Sequence, residues 1–301
     1  MTSHKCAGVR FFQVGASFLL MAIAVCAFGV QERRSEAGDF LEVKGGRLYY
    51  EVAGKGCPVV LIAGAGGMDG RQWSAQVDFL RRRYRTILFE PRGSGKSSVA
   101  QEPYSDVDDL LAVLDKLSIR KATLVGVSSA GGIAIDFAVS FPQRVEGLVL
   151  AAPMVRGFQM SAEQQARVAR FAQASQAGVE EGIRAFMQDA HFVPAPRNPQ
   201  ARRRAETLMR ENVRSGPAVA AKPLNPPAVT RLGEIQSPTL LLIGALDHPD
   251  LHRRVDFLKE RIAKSQKTVL SDAGHMSNLE NPAAFNRALG EFLGKNRCAR
   301  E

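Results

Sequence analysis

Short runs of aliphatic and β-branched residues recur along this 301-residue chain, and they constrain its fold more than any other feature. They read PVVLIAG (58–64), YRTILFE (84–90), KATLVGV (121–127), VEGLVLAAP (145–153), SPTLLLIG (237–244) and KTVLSD (267–272). Most lack the apolar–polar alternation of a half-solvated strand, so they suit strands covered on both faces. Between them lie helical spacings, near 72–82 and in DVDDLLAVLDKL, where Ser105 followed by Asp108 makes a capping-box-like start. Strands and helices in alternation predict an α/β fold, a mostly parallel central sheet with helices on both faces. Ahead of the runs, GDFLEVKGGRLYYEVAGKG (38–56) reads as a hairpin around Gly45-Gly46. With 45% hydrophobic residues the chain can bury one large core, and one domain with an insertion is expected over two equal ones.

The rhythm fails from about Met154 to Glu234, where no buried strand is found. SAEQQARVARFAQASQ and VEEGIRAFMQDA read as helices, followed by the proline-rich VPAPRNP and KPLNPP. This insertion leaves from the strand ends where such folds bind ligands, so residues 154–234 are expected to form a helical lid. The core is then 40–153 with 235–297.

The N-terminus carries an address. Lys5 and Arg10 precede the uncharged stretch Phe11 to Val30, which ends in small residues, with Ala27-Phe28-Gly29 as a cleavage site. Residues 1–29 therefore read as an export signal, placing the folded part in the periplasm or outside the cell. The alternative is an uncleaved membrane anchor at 11–30, just long enough to span a bilayer. A lipoprotein at Cys26 is disfavoured by bulky Val25 before it. Outside this segment only Cys57 and Cys298 remain. Two unpaired cysteines are expected, with a disulfide between them as the alternative an oxidising compartment allows. No CxxC or HExxH occurs, so neither a metal nor a cofactor is expected.

The formal charge of +10 is concentrated in arginine runs, Arg81–Arg85 and Arg202–Arg204. Both fall at helices or helix ends, where charge runs form solvated faces, and no nucleic-acid-binding signature accompanies them. A phosphate loop is excluded as well. EPRGSGKSS ends in GKS, but the glycine required five residues before Gly95 is Glu90.

The chemistry centres on Gly126-Val127-Ser128-Ser129-Ala130, between a strand and a helix, which fits G-x-S-x-small. A sharp strand–turn–helix exposes a nucleophilic serine, and it needs small residues two before and two after. Ser128 meets that condition with Gly126 and Ala130. Ser129 would place Val127 in the crowded position. Gly131 and Gly132 allow the helix to lie close to the sheet.

At this point the chain resembles the α/β-hydrolase superfamily, in its lid-bearing serine esterase and haloperoxidase-like branch. PVVLIAGAGG resembles the strand and oxyanion loop, LFEPRGSGKS the D-x-R-G-x-G-x-S turn, and LVGVSSAGG the nucleophile elbow. FPQRVEGLVLAAP resembles the next helix end and strand, SPTLLLIGALD the acid-bearing strand, and DAGHMSNLENPAAFNRALGEFL the histidine loop and last helix. The resemblance implies a triad of Ser128, Asp247 and His275 in the chain order of this fold. It also implies an oxyanion hole from the N–H groups of Ala65 and Ser129.

Several residues bear on that assignment. His275 sits in a loop after the last strand, while His4, His191, His248 and His252 are worse placed. Asp250 is the rival acid, and AAPMVRG offers no carboxylate after the preceding strand. Ala63-Gly64 replaces the family's His-Gly, Ala130 its commoner glycine, and Glu90 its aspartate, the last in a structural role.

The function expected is a serine hydrolase cleaving a small carboxylic ester through an acyl-enzyme, a small molecule being the partner. The same triad could cleave an aminoacyl amide, a lactone or a C–C bond. A non-catalytic exported or anchored binding protein is the rival from another class.

Overall fold

The computed structural model describes residues 38–64, 67–194, 198–212 and 219–296. The export or anchor segment, the oxyanion residue Ala65 and Cys298 lie outside the described residues.

The chain starts with the hairpin, β1 (Asp39–Val43) and β2 (Gly46–Ala53), paired antiparallel around Gly45 and Gly46, both at positive φ. Then follow β3 (Cys57–Ile62), α1 (Ser74–Leu80), β4 (Tyr84–Glu90), α2 (Asp106–Lys116), β5 (Ala122–Val127), α3 (Ser128–Ser140) and β6 (Val145–Ala151). The insertion carries α4 (Ala162–Ala177), α5 (Val179–Gln188) and α6 (Pro199–Asn212). The chain returns through β7 (Thr239–Gly244), α7 (Pro249–Arg261), β8 (Ser265–Leu270), α8 (Ser277–Glu280) and α9 (Pro282–Lys295). As the sequence spacing predicts, the Ser105 hydroxyl caps α2 by accepting from the Asp108 N–H at 3.2 Å.

One eight-stranded sheet runs in the order β1-β2-β4-β3-β5-β6-β7-β8. Only the pairs formed by β2 are antiparallel. The continuous apolar runs divide between two layers. On β3, Val60 and Ile62 join α2, α3 and α7, while Val59 and Leu61 face α1 and α9. On β7, Leu241 and Ile243 take the first side and Leu240 and Leu242 the second. This double burial is why those strands lack alternation. β8 is the exception, an edge strand with Val269 exposed.

Because β4 lies on one side of β3 and β5 on the other, the direction of winding reverses there, and the strand ends open a crevice. α3 begins at this point. Arg81–Arg83 after α1 and Arg202–Arg204 on α6 are exposed, whereas Arg85, at the start of β4, is half-buried and donates to the Leu117 carbonyl at 3.2 Å.

The cysteine expectation needs correction, because Cys57 is disulfide-bonded. Leu293 and Asn296, at the end of α9, line a small cavity with Cys57, so the end of α9 lies beside the start of β3. Sequence separation hides that proximity. Among the described residues no helix is long and apolar enough to cross a membrane.

Candidate active site

Ser128 is the first residue of α3, directly after β5, and it has φ 54°. A non-glycine residue in the left-handed region carries strain and marks a built feature. The neighbours explain how the turn closes. A Cβ on Gly126 would lie 2.5 Å from the Ala130 carbonyl carbon, and one on Gly131 would lie 2.7 Å from Pro153. Glycine at 126 therefore lets strand and helix meet with the serine raised between them.

Three distant segments converge on this serine. The Ser128 Oγ lies 2.9 Å from His275 Nε2, and His275 Nδ1 lies 3.1 Å from Asp247 Oδ2. Asp247 follows β7, its side chain is fully buried, and its other oxygen accepts from the His248 N–H at 2.8 Å. Asp250 is occupied elsewhere, accepting from the Ser161 N–H and pairing with Arg253. The loop of His275 is clamped by the chain just after α5. The His275 N–H donates to the His191 carbonyl at 3.0 Å and the Met276 N–H to the Phe192 carbonyl at 3.3 Å. A Cβ on Gly274 would strike Pro194 at 2.4 Å, so this clamp needs glycine before the histidine. The insertion thus holds the imidazole loop as well as lining the cavity.

Ser129 lies in the first turn of α3, where backbone N–H groups have no helical partner, and it lines the cavity beside Ser128. That cavity has a volume of about 420 Å³, within the range of small-molecule sites. Its far wall comes from the insertion. Phe171 and Phe186 stack at 4.3 Å, Phe186 meets Phe192 at 5.1 Å, and Phe192 lies 6.2 Å from the His275 ring.

Two arginines enter this apolar wall, and sequence reasoning missed both. Arg167 forms a two-pronged pair with Asp189, Nε and Nη2 each 2.7 Å from a carboxylate oxygen. Asp189 is accordingly held below the usual carboxylate range: burial pushes it up, but Arg167 and the His191 N–H outweigh that. Arg254 on α7 is 7% exposed, and its Nε has no partner. Burial pushes this guanidinium down, against the attraction of Asp247 and Asp250. A signal for it exists in the sequence. Leu251, Val255 and Leu258 form the buried stripe of α7, and Arg254 occupies a position in that register.

Glu90 serves the scaffold. Its Oε1 accepts from the Gly70 N–H at 2.9 Å and its Oε2 from the Lys96 N–H at 2.6 Å, bracing the two loops that flank the crevice. Among the described residues no group of three His, Cys, Asp or Glu side chains could hold a metal ion.

Residues 59–288 match the model of the alpha/beta hydrolase family. The chain belongs to that family. Among curated proteins it is 29% identical over 242 residues to 3-oxoadipate enol-lactonase 2 of Acinetobacter baylyi, covering 77% of this chain and 87% of that one. Among solved structures it resembles a hydrolase from Pseudomonas aeruginosa, with a TM-score of 0.71, 28% identity and coverage of 86% and 99%. The enol-lactonase of Burkholderia xenovorans shares the fold, with a TM-score of 0.72 at 23% identity over 85% and 100% of the chains. This alpha/beta hydrolase is an enzyme of the hydrolase class.

Proposed function

We propose that this chain hydrolyses a small carboxylic ester or lactone through an acyl-enzyme on Ser128. The observation that carries the reading is the continuous path from Ser128 Oγ through the His275 ring to Asp247, with spacings of 2.9 and 3.1 Å. A serine hydroxyl is a poor nucleophile until a base takes its proton. His275 Nε2 takes it as Oγ bonds to the carbonyl carbon, and the Asp247 carboxylate holds the ring with its proton on Nδ1 and steadies the imidazolium. The carbonyl oxygen becomes an oxyanion that the Ser129 N–H meets. Ala65 is the proposed second donor. Collapse breaks the ester C–O bond, and His275 returns the proton to the leaving alkoxide. Water then attacks the acyl carbon, gives its proton to His275, and the acid departs as Ser128 is restored.

A lactone follows the same path, except that the alkoxide stays tethered to the acyl chain. The curated relative named an enol-lactonase supports including lactones with open-chain esters. Export or anchoring by residues 1–30 belongs to the same proposal, and sequencing the mature N-terminus tests it.

The test of catalysis uses a fluorophosphonate probe and a panel of short esters, lactones and aminoacyl amides. Wild type is expected to be labelled and to cleave esters or lactones, and Ser128→Ala to do neither. A wild type no different from Ser128→Ala on every substrate sinks the reading and favours a binding protein of this fold.

A further inference from the structure

Arg254 poses a chemical problem inside the cavity. The guanidinium is always charged and carries five N–H donors. Burying such a group without acceptors is costly, so buried charges are normally paired. Here the side chain is more than nine-tenths buried, it lines the Ser128 cavity, and its Nε reaches no acceptor. Among the described residues the nearby acids have other partners. Asp189 is taken by Arg167, Asp250 by Arg253 and the Ser161 N–H, and Asp247 by His275 and the His248 N–H. Asp247 and Asp250 attract Arg254 through space, which accounts for a cation at this place but leaves its Nε donor unspent. The rest of the lining is largely hydrocarbon and aromatic, with Met154, Met160, Val168, Phe171, Phe186 and Phe192 around the void.

We propose that Arg254 is an anion subsite, and that the substrate is an ester or lactone carrying a free carboxylate joined to the scissile group by an apolar spacer. This rests on the reading of Ser128 as nucleophile. A carboxylate matches the planar fork of a guanidinium, and a desolvated pair of that kind is both strong and directional. The aromatic wall suits the spacer, while Arg167, already neutralised by Asp189, shapes the wall without competing for the anion.

The test compares charged and capped substrates of equal length. One series is the 4-nitrophenyl monoesters of C5 to C8 dicarboxylic acids beside their methyl-capped counterparts, with Ser128→Ala supplying the spontaneous background. A second series, ω-acetoxyalkanoates beside their methyl esters, places the charge on the alcohol side. In at least one series wild type is expected to prefer the anion in kcat/KM. Arg254→Met is expected to lower the anion-to-neutral ratio by about 10- to 100-fold, as loss of a charged hydrogen-bonding partner implies. Arg254→Lys, which keeps the charge without the fork, is expected to recover part of it. A wild type that cleaves neutral esters with no anion preference overturns the subsite and leaves the serine hydrolase standing. The subsite also falls if Arg254→Met lowers both rates together and leaves the ratio unmoved, because Arg254 then acts through Asp247 or through packing. Calorimetric titration of the Ser128→Ala protein with the same half-esters reads the subsite without turnover. Binding weakened at least tenfold by adding Arg254→Met supports it, and equal binding overturns it whether or not wild type proves active.

Discussion

Two sizeable cavities among the described residues are of opposite character, and in the larger the acids are already paired. A cleft of about 530 Å³ is lined by Glu51, Asp69, Asp78, Glu90 and Glu211, against about 420 Å³ for the cavity at Ser128. In the cleft the acids have found partners within the protein. Glu90 is held by the N–H groups of Gly70 and Lys96, Asp69 by Arg71 and Asn212, Glu211 by Arg71, Asp78 by Arg81 and Glu51 by the Tyr49 hydroxyl. Burial raises Asp69, but the bonds from Arg71 and Asn212 prevail and hold it below the ordinary carboxylate range. The cavity at Ser128 is instead lined by a serine on a strained turn and by Arg254, whose buried Nε has no acceptor. Charge and volume would choose the cleft. Unused bonding capacity chooses the other cavity.

The largest effect that could break this contrast is expected at the acid beside the Ser128 cavity. Asp247→Asn is expected to cut kcat on any cleaved ester by about 10³- to 10⁴-fold, because the amide favours the wrong imidazole tautomer. Asp250→Asn, which loosens the contacts to Arg253 and Ser161 and weakens the through-space attraction on Arg254, is expected to stay within a fewfold of wild type on neutral esters. Steady-state kinetics on the two variants decides, and the reverse order would hand the triad to Asp250.

A smaller effect, of a different kind, is expected across the cleft. In Glu90→Gln one oxygen becomes an amide donor facing a backbone N–H, either that of Gly70 or that of Lys96. A buried donor left unsatisfied costs about 1–3 kcal/mol, so the melting temperature should fall while turnover changes little. If turnover collapsed with the melting temperature unmoved, the cleft would have to join the catalytic machinery.

The same contrast explains what the sequence could disclose. β3, β5 and β7 are buried on both faces, and their composition alone shows it, as does the capped start of α2. The elbow is legible because Gly126 and Ala130 answer a local steric demand that acts within five residues. Asp247 and His275 are reached through motif order, since nothing local shows that loops after β7 and β8 meet above α3. The cavity wall is out of reach for a different reason. Phe171, Phe186 and Phe192 fit the apolar patterns of ordinary helices, and only their convergence on the His275 ring makes them a wall. Arg254 sits in a run, HRRVDFLKER, whose charges read as a solvated face. Its register with Leu251 and Leu258 is the one local hint that this cation points inward.

The smallest effect separates two forces acting on Glu90. Burial raises its pKa, and the N–H bonds from Gly70 and Lys96 offset part of that rise by favouring the carboxylate. For an acid raised on folding, the linked stability is fully present below its unfolded pKa and is lost as pH rises through the folded value. Glutamine cannot titrate, so the difference in melting temperature between wild type and Glu90→Gln isolates this slope from every other group. The difference is expected to be widest below about pH 4, where the carboxyl is protonated folded or unfolded, and to narrow as pH rises past the ordinary glutamate range. A difference that widened with rising pH would mean that the two backbone donors outweigh burial. The cleft would then be holding a settled carboxylate, and the contrast with the unsatisfied cavity around Ser128 would be sharper still.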